Sequence, residues 1–262
     1  MRGWVLFDFD GTLSLLRAGW QEVMQQVMVE TLAEGGAMAG DLRLERVWAE
    51  KISQYIADST GIQTVEQMQW LRQQVKSVGR EPESVWTYKA RYRDRLHAWI
   101  QERIASVAEG RTTPDQYLVA GSRALLQALQ AEGLILVLAS GTDDDDVQAE
   151  ARLLGVADYF DEIRGAIDHS RDNPKVAVIE AMMAKWGQHL AFRAVIGDGP
   201  VEIEIGRRYQ ALTIGVASDE RVAGCRDPEK EARLHQAGAQ WIVDDLSDVE
   251  AIMGHIRRAA VP

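Results

Sequence analysis

One cysteine, Cys225, is all that the 262 residues contain. A disulfide framework within the chain is therefore excluded, and so is a zinc site built on cysteines. Positive charge is scarce as well: 29 lysines and arginines face 40 aspartates and glutamates, a formal net charge of −11. That balance argues against nucleic acid and against an anionic membrane as partners. It leaves a small anionic ligand open, because local charge at a site can oppose the total. No apolar run is long enough to cross a bilayer. Met1-Arg2-Gly3 passes at once into an apolar strand, so no signal peptide is expected and a cytoplasmic location is. Internal repeats and low-complexity tracts are missing too. His97, His169 and His189 have no partner at metal-ligand spacing and read as ordinary residues.

What is present is the composition of a globular protein, 46% hydrophobic and 26% charged, in a chain long enough for one large domain or a core with a smaller companion. Trp4 to Phe7 is a short apolar run that reads as a buried strand. Residues 15 to 110 then change character, with apolar positions at helical spacing. A first helix carries Leu16, Trp20, Val23, Met24, Val27 and Met28. A second carries Leu44 to Ile56, a third Ile62 to Val75, and a fourth, the longest, Val85 to Val107. Glycines close them, at Gly35-Gly36, Gly61, Gly79 and Gly110. Each has one apolar stripe, which predicts a small helical bundle. Thr112-Thr113-Pro114-Asp115 restarts the pattern, with a capping hydroxyl, a proline and an acid, and opens a helix expected to run to about Glu132. Beyond it, apolar strands at 134–139, 163–167, 194–196, 212–216 and 241–243 alternate with helices at 143–154, 174–186 and 201–209. Such alternation predicts an α/β fold, a parallel sheet covered on both faces.

Sites in such sheets lie outside the carboxyl ends of the strands. The polar residues just past strand ends here are Asp8 and Asp10, Ser140, and Asp198. Asp8 and Asp10 flank Phe9 directly after the first strand, where turn propensity alone does not account for two acids. Carboxylates two residues apart on a strand share a face, and their repulsion calls for a cation or a proton. Gly11 permits the tight turn that follows. A carboxylate can attack phosphorus and a second can move the proton of the leaving group. Ser140 ends an apolar strand, and Thr142 is available to cap the helix after it. Lys175 follows Asn173-Pro174 at a helix start, where the helix dipole disfavours a cation. Asp198 lies in Gly197-Asp198-Gly199-Pro200-Val201-Glu202, where a carboxylate could ligate a hard cation.

The stretch Asp8-Phe9-Asp10-Gly11-Thr12 resembles the first motif of the haloacid dehalogenase (HAD) superfamily. Ser140, Lys175 and Asp198 stand where that family's second, third and fourth motifs would fall, in the same order. The resemblance covers roughly residues 1 to 14 and 112 to 250. It implies a Rossmann-like catalytic core of residues 1–14 and 112–262 with an α-helical cap, residues 15–111, inserted after the first motif. It also implies a magnesium-dependent phosphatase acting on a small phosphorylated metabolite, such as a sugar phosphate, through an aspartyl-phosphate on Asp8. Asp10 would be the acid and base, Ser140 would bind a phosphoryl oxygen, and Lys175 would balance charge. Asp8, the backbone carbonyl of Asp10, and Asp198 would hold Mg2+. The family often has aspartate where this chain has Glu202, which is expected behind the metal ligands. Thr12 and Gly141, in the same loops, are expected at the substrate.

Asp10 argues against dehalogenase chemistry, and the Asp-x-Asp pattern argues against phosphonatases. A phosphomutase, or a non-catalytic ligand-binding protein on the same fold, stays open, as does the oligomeric state. Arg17, seven residues after Asp10, is either an exposed arginine or a substrate contact. The acids Asp143 to Asp146 read as the welcome first turn of a helix, and Lys89, Arg91, Arg93 and Arg95 as a solvated face. The connection from Asp219 to Gly238 is long for such a fold and is expected to line the site or form an oligomer contact.

Overall fold

The computed structural model describes residues 3–34, 42–168, 174–186, 190–222 and 224–259. His169, Asn173 and His189 lie outside the described residues. Six parallel strands make one sheet: β1 (Gly3–Phe7), β2 (Ile135–Asp143), β3 (Glu162–Ala166), β4 (Ala191–Gly197), β5 (Leu212–Val216) and β6 (Trp241–Val243), in the order β3-β2-β1-β4-β5-β6. β1 is central, with β2 on one side and β4 on the other. The strand order therefore turns around at β1, and in open sheets the crevice at such a reversal is where ligands bind.

Side-chain alternation decides how the sheet is covered. Val5 and Phe7 face one cluster, together with Leu136, Leu138 and Ile196. There α5 (Ser122–Ala131), α6 (Asp144–Leu153) and α10 (Val249–Arg258) bury their apolar stripes. Trp4 and Leu6 face the other way, against α7 (Pro174–Trp186) and α8 (Pro200–Arg208). The expected Rossmann-like parallel sheet with helices on both faces is what the chain forms. Among the described residues no helix is long and apolar enough to cross a membrane.

Among the described residues four helices lie between β1 and α5: α1 (Trp20–Ala33), α2 (Leu42–Asp58), α3 (Thr64–Ser77) and α4 (Val85–Ala108). They share a hydrophobic cluster of their own, built on Met24, Met28, Ile52, Met68, Leu71 and Ile100. Their periodicity was legible, but the start of the first was not. Leu16 packs into the sheet's cluster, and the helix begins only at Trp20, after Gly19 at a φ of 91°. Residues 14–19 are thus a connector, and Ser14 pairs with Leu118 of the returning chain.

Two further expectations need correction. The helix expected from Pro114 to Glu132 is a short 3-10 turn, Pro114–Tyr117, followed by α5. Between them Gly121 has a φ of 82°, and its backbone lies so close to Leu246 that a Cβ would fall 2.2 Å from that carbonyl. The long connection after β5 contains α9 (Pro228–Ala237). Asp227 caps it by accepting from the backbone N–H of Glu229 and Lys230, with Pro228 in the first turn, a start signal in plain sequence view.

Candidate active site

β1 carries Asp8 to the edge of the sheet, where its backbone N–H donates to the Ile196 carbonyl of β4 at 3.0 Å. The residue is 5% exposed. Burial pushes its carboxyl well above the ordinary carboxylate range, with Lys175 pulling the other way. Lys175 comes from the first turn of α7, with Nζ 2.8 Å from Asp8 Oδ1. It also meets Glu202, and donates to the Gly61 carbonyl at 3.1 Å. Burial acts to lower the Lys175 ammonium, but Asp8 and Glu202 outweigh it and raise it. The cation that looked misplaced at a helix start is held there by two buried carboxylates. Glu202 itself, fully buried on α8, stands behind Lys175; one of its oxygens, Oε2, has no hydrogen-bond partner.

Asp10 sits two residues on. Burial raises its pKa to about 6, with Arg17 opposing and Glu150 adding to the rise. Oδ2 accepts from the Thr142 hydroxyl at 2.8 Å and, at the outer limit of 3.5 Å, from Ser140. Oδ1 has no hydrogen-bond partner. Ser140 is buried and accepts from the Thr142 backbone N–H at 3.1 Å. Thr142 therefore does not cap α6; its hydroxyl is spent on Asp10, a site residue that reading Thr142 as a cap had hidden.

Arg17 is not solvent-exposed. It is 7% exposed, and its Nε reaches both carboxylate oxygens of Glu150 at 3.0 and 3.1 Å. Its terminal nitrogen reaches Glu150 at 2.6 Å and Asp146 at 3.0 Å, while Asp10 Oδ1 stands 3.9 Å from Nε. The acids that open α6 accordingly do more than complement a helix dipole. Asp143 pairs with Lys89 of α4, Asp144 accepts from the Gly165 N–H at 2.7 Å, and Asp146 also meets His97 at 2.9 Å. Lys89, expected on a solvated face, is buried and paired with Asp143 and Asp168. Glu150 could have been noticed: it lies on the stripe Val147, Glu150, Ala151, where α6 turns to the core. A charge on a buried stripe needs a partner.

Asp198 ends β4 and is 4% exposed. The Thr12 hydroxyl stands 3.4 Å from its Oδ1 and 3.5 Å from Asp8 Oδ2. Two carboxylates thus come within reach of one hydroxyl. Gly11, at a φ of 76°, allows this approach, since a Cβ there would fall 2.2 Å from Asp198 Oδ2. The connection after β5 comes up to Asp198: Lys230 of α9 reaches Asp198 at 3.0 Å and Glu220 at 3.2 Å. Among the described residues no three His, Cys, Asp or Glu side chains gather into a metal cluster. Two carboxylates within reach of one hydroxyl are oxygen donors of the kind magnesium takes when further oxygens and water complete its shell, so this donor set suits that ion.

The turn between α2 and α3 closes over these groups. A Cβ on Gly141 would lie 2.5 Å from the Ile62 carbonyl, and one on Gly199 2.9 Å from that of Thr60. Gly61, at a φ of 92°, would place its Cβ 2.6 Å from Glu202. Gly141 is therefore seated under the turn. Beneath it lies a cavity of about 70 Å³ lined by Asp8, Asp10, Ser140, Thr142, Lys175 and Asp198 from the sheet side, by Arg17 from the connector, and by Trp20, Thr60, Thr64, Gln67 and Tyr92 from the helical insert. The insert's contributions were not identifiable in advance, because threonine, glutamine and tyrosine on an amphipathic helix carry no signal of what they face.

A family model described as haloacid dehalogenase-like hydrolase matches residues 4–209. The chain belongs to the haloacid dehalogenase-like hydrolases. Solved HAD-type structures share its fold. β-Phosphoglucomutase from Clostridium difficile superposes with a TM-score of 0.65 at 15% identity, covering 100% of both chains. A predicted phosphatase from Clostridium acetobutylicum gives 0.60 at 19%, covering 97% of this chain and 99% of that one. A predicted phosphoglycolate phosphatase from Haemophilus somnus gives 0.54 at 17%, covering 96% and 98%. At such identities the likeness is one of fold. No curated protein matches the sequence.

Proposed function

We propose that this HAD-family hydrolase is a magnesium-dependent phosphatase, cleaving a small phosphate monoester through an aspartyl-phosphate on Asp8. The observation that carries this reading is the meeting of Asp8, Lys175 and Asp198 at the carboxyl end of the central strand, beside an Asp10 whose pKa of about 6 lets it hold or release a proton near neutrality. A carboxylate oxygen of Asp8 attacks phosphorus, and the P–O bond to the leaving alcohol breaks as Asp10 gives its proton to the departing oxygen. Asp10, now ionised, takes a proton from a water that attacks the acyl phosphate, returning Asp8 and releasing inorganic phosphate. Lys175 offsets charge on Asp8 and on the phosphoryl group, with Glu202 holding the ammonium in place. Ser140 offers its hydroxyl to a phosphoryl oxygen. Asp8, the Asp10 carbonyl and Asp198 would hold Mg2+, which supplies neutralisation of the two anions that must approach. The turn around Gly61 excludes bulk water.

Asparagine is nearly isosteric with aspartate but a poor nucleophile. Asp8→Asn is expected to lose phosphate release on every ester while keeping its fold, read by circular dichroism. Near-normal turnover in that variant refutes the covalent mechanism.

A further inference from the structure

Lys175 is not the only lysine seated at a helix start beside the site. Lys230 lies in the first turn of α9, where the helix dipole disfavours a cation as well. Asp227 fixes that turn. Its carboxylate accepts from the Lys230 backbone N–H at 3.0 Å, and its own N–H donates to the Ala217 carbonyl, just past β5, at 2.7 Å. The Lys230 side chain is only 4% exposed. Its ammonium lies 3.0 Å from Asp198 Oδ2 and 3.2 Å from Glu220 Oε1. Burial acts to lower the ammonium, but Asp198 and Glu220 outweigh it and raise it. Lys230 is therefore a fixed positive charge on the carboxylate that ends β4.

Mg2+ and Lys230 make the same demand on Asp198. An ammonium on one carboxylate oxygen offsets the charge that draws the ion, and two cations at one carboxylate repel. Glu220 offers the ammonium a second seat. A Cβ on Gly11 would fall 2.2 Å from Asp198 Oδ2 and 3.1 Å from Glu220 Oε1, so both carboxylates lie over the same loop. Asp198 lines the cavity, whereas Lys230 and Glu220 line a separate cleft of about 460 Å³ between α1, α2 and the connection after β5. Five carboxylates and three cations line that cleft, so its potential favours positive charge. An ammonium given up by Asp198 thus keeps a partner and is not stranded, which for a buried charge would be strongly unfavourable.

We propose that Lys230 is a positioning residue that competes with Mg2+ for Asp198, and that Glu220 receives its ammonium when the ion binds. This rests on the magnesium site proposed above. The pair sets the ion concentration at which that site fills.

Mg2+ itself is the probe, titrated calorimetrically into the wild type, Lys230→Met and Glu220→Gln. Lys230→Met removes the competing charge and keeps a side chain of similar length. It is expected to bind Mg2+ more tightly by about 10–100-fold, the scale on which groups behind metal ligands act. Glu220→Gln removes the second seat and leaves the ammonium on Asp198, so it is expected to bind Mg2+ more weakly than the wild type. Being nearly isosteric, it decides the matter even where Lys230→Met fails to fold. Loss of local structure would weaken binding in both variants, so shifts of opposite sign are the signature of competition. Opposite shifts with no phosphate release from any ester refute the phosphatase reading and leave the competition standing. A Glu220→Gln protein that binds Mg2+ as well as the wild type or better overturns the proposal while the magnesium site stands. So does a folded Lys230→Met protein that binds no more tightly. No Mg2+ binding by any of the three proteins overturns the proposal and the magnesium site together.

Discussion

Arg17→Ala is the perturbation on which the structure differs most from a reading of the sequence. An arginine that is exposed, or that meets only a substrate, should be removable with the fold intact. In the structure its side chain is 8% exposed and that of Glu150 is 6%, and three short nitrogen–oxygen contacts join them. Deleting one partner of a buried ion pair costs about 3–5 kcal/mol, because the remaining charge is stranded. Whole domains are stable by only about 5–15 kcal/mol. With roughly 2–4 °C per kcal/mol for a chain of this size, the melting temperature should fall by roughly 6–20 °C. Urea unfolding followed by far-ultraviolet dichroism measures the loss directly. The companion experiment is the double variant Arg17→Met with Glu150→Leu, which removes both charges and keeps apolar volume; it should recover most of the stability, since such replacements are often neutral or better. Function supplies a second readout. Arg17 holds the Asp10 carboxyl down against burial, so in Arg17→Ala that pKa moves above about 6. The proton-donating form then persists to higher pH, and the fall of kcat/KM with rising pH on an alkyl phosphate shifts upward. An Arg17→Ala protein within about 0.5 kcal/mol of the wild type, the range of neutral surface changes, would falsify the buried-pair argument. A double variant no more stable than the single one would also refute it.

Thr142→Val is isosteric and removes the 2.8 Å hydrogen bond that favours ionised Asp10. Its pH–rate profile on an alkyl phosphate should therefore also extend to higher pH, and a superimposable or downward-shifted profile counts against Asp10 as the proton donor. Gly141→Ala places a Cβ 2.5 Å from the Ile62 carbonyl, which forces the turn outward. Overpacking of this kind costs about 1–3 kcal/mol of stability, read by urea unfolding, and kcat/KM should fall as the turn is displaced; an unchanged kcat/KM means that the turn is not needed over the site. Chelation should abolish phosphate release and magnesium should restore it, while Asp198→Ala should need far more magnesium for the same rate. Full activity in excess chelator removes the metal from the mechanism.

How much of this was readable beforehand differs from residue to residue. Asp8, Asp10, Ser140 and Asp198 were visible because each follows a short apolar strand, and the carboxyl ends of parallel strands lie along one edge. That is a local pattern with a general consequence. Lys175 was visible as a cation at the wrong end of a helix, although nothing local named Asp8 and Glu202 as its partners. Thr142 was hidden by its own versatility, because a threonine before a helix reads equally well as a cap.

The sequence by itself determined the layers of this protein: the strands, the helices over both faces of the sheet, the helical insert after β1, and the edge where polar residues collect. Those follow from periods of two and 3.6 and from where glycine and proline interrupt them, all of which act over a few residues. Only the tertiary structure decided what the charges do. Arg17 meets Glu150 across 133 positions, Lys89 meets Asp143 across 54, and Lys230 meets Asp198 across 32. A charge on an amphipathic helix has the same local pattern whether it meets water or a buried partner. The chain has to fold its insert back over the sheet before the difference exists.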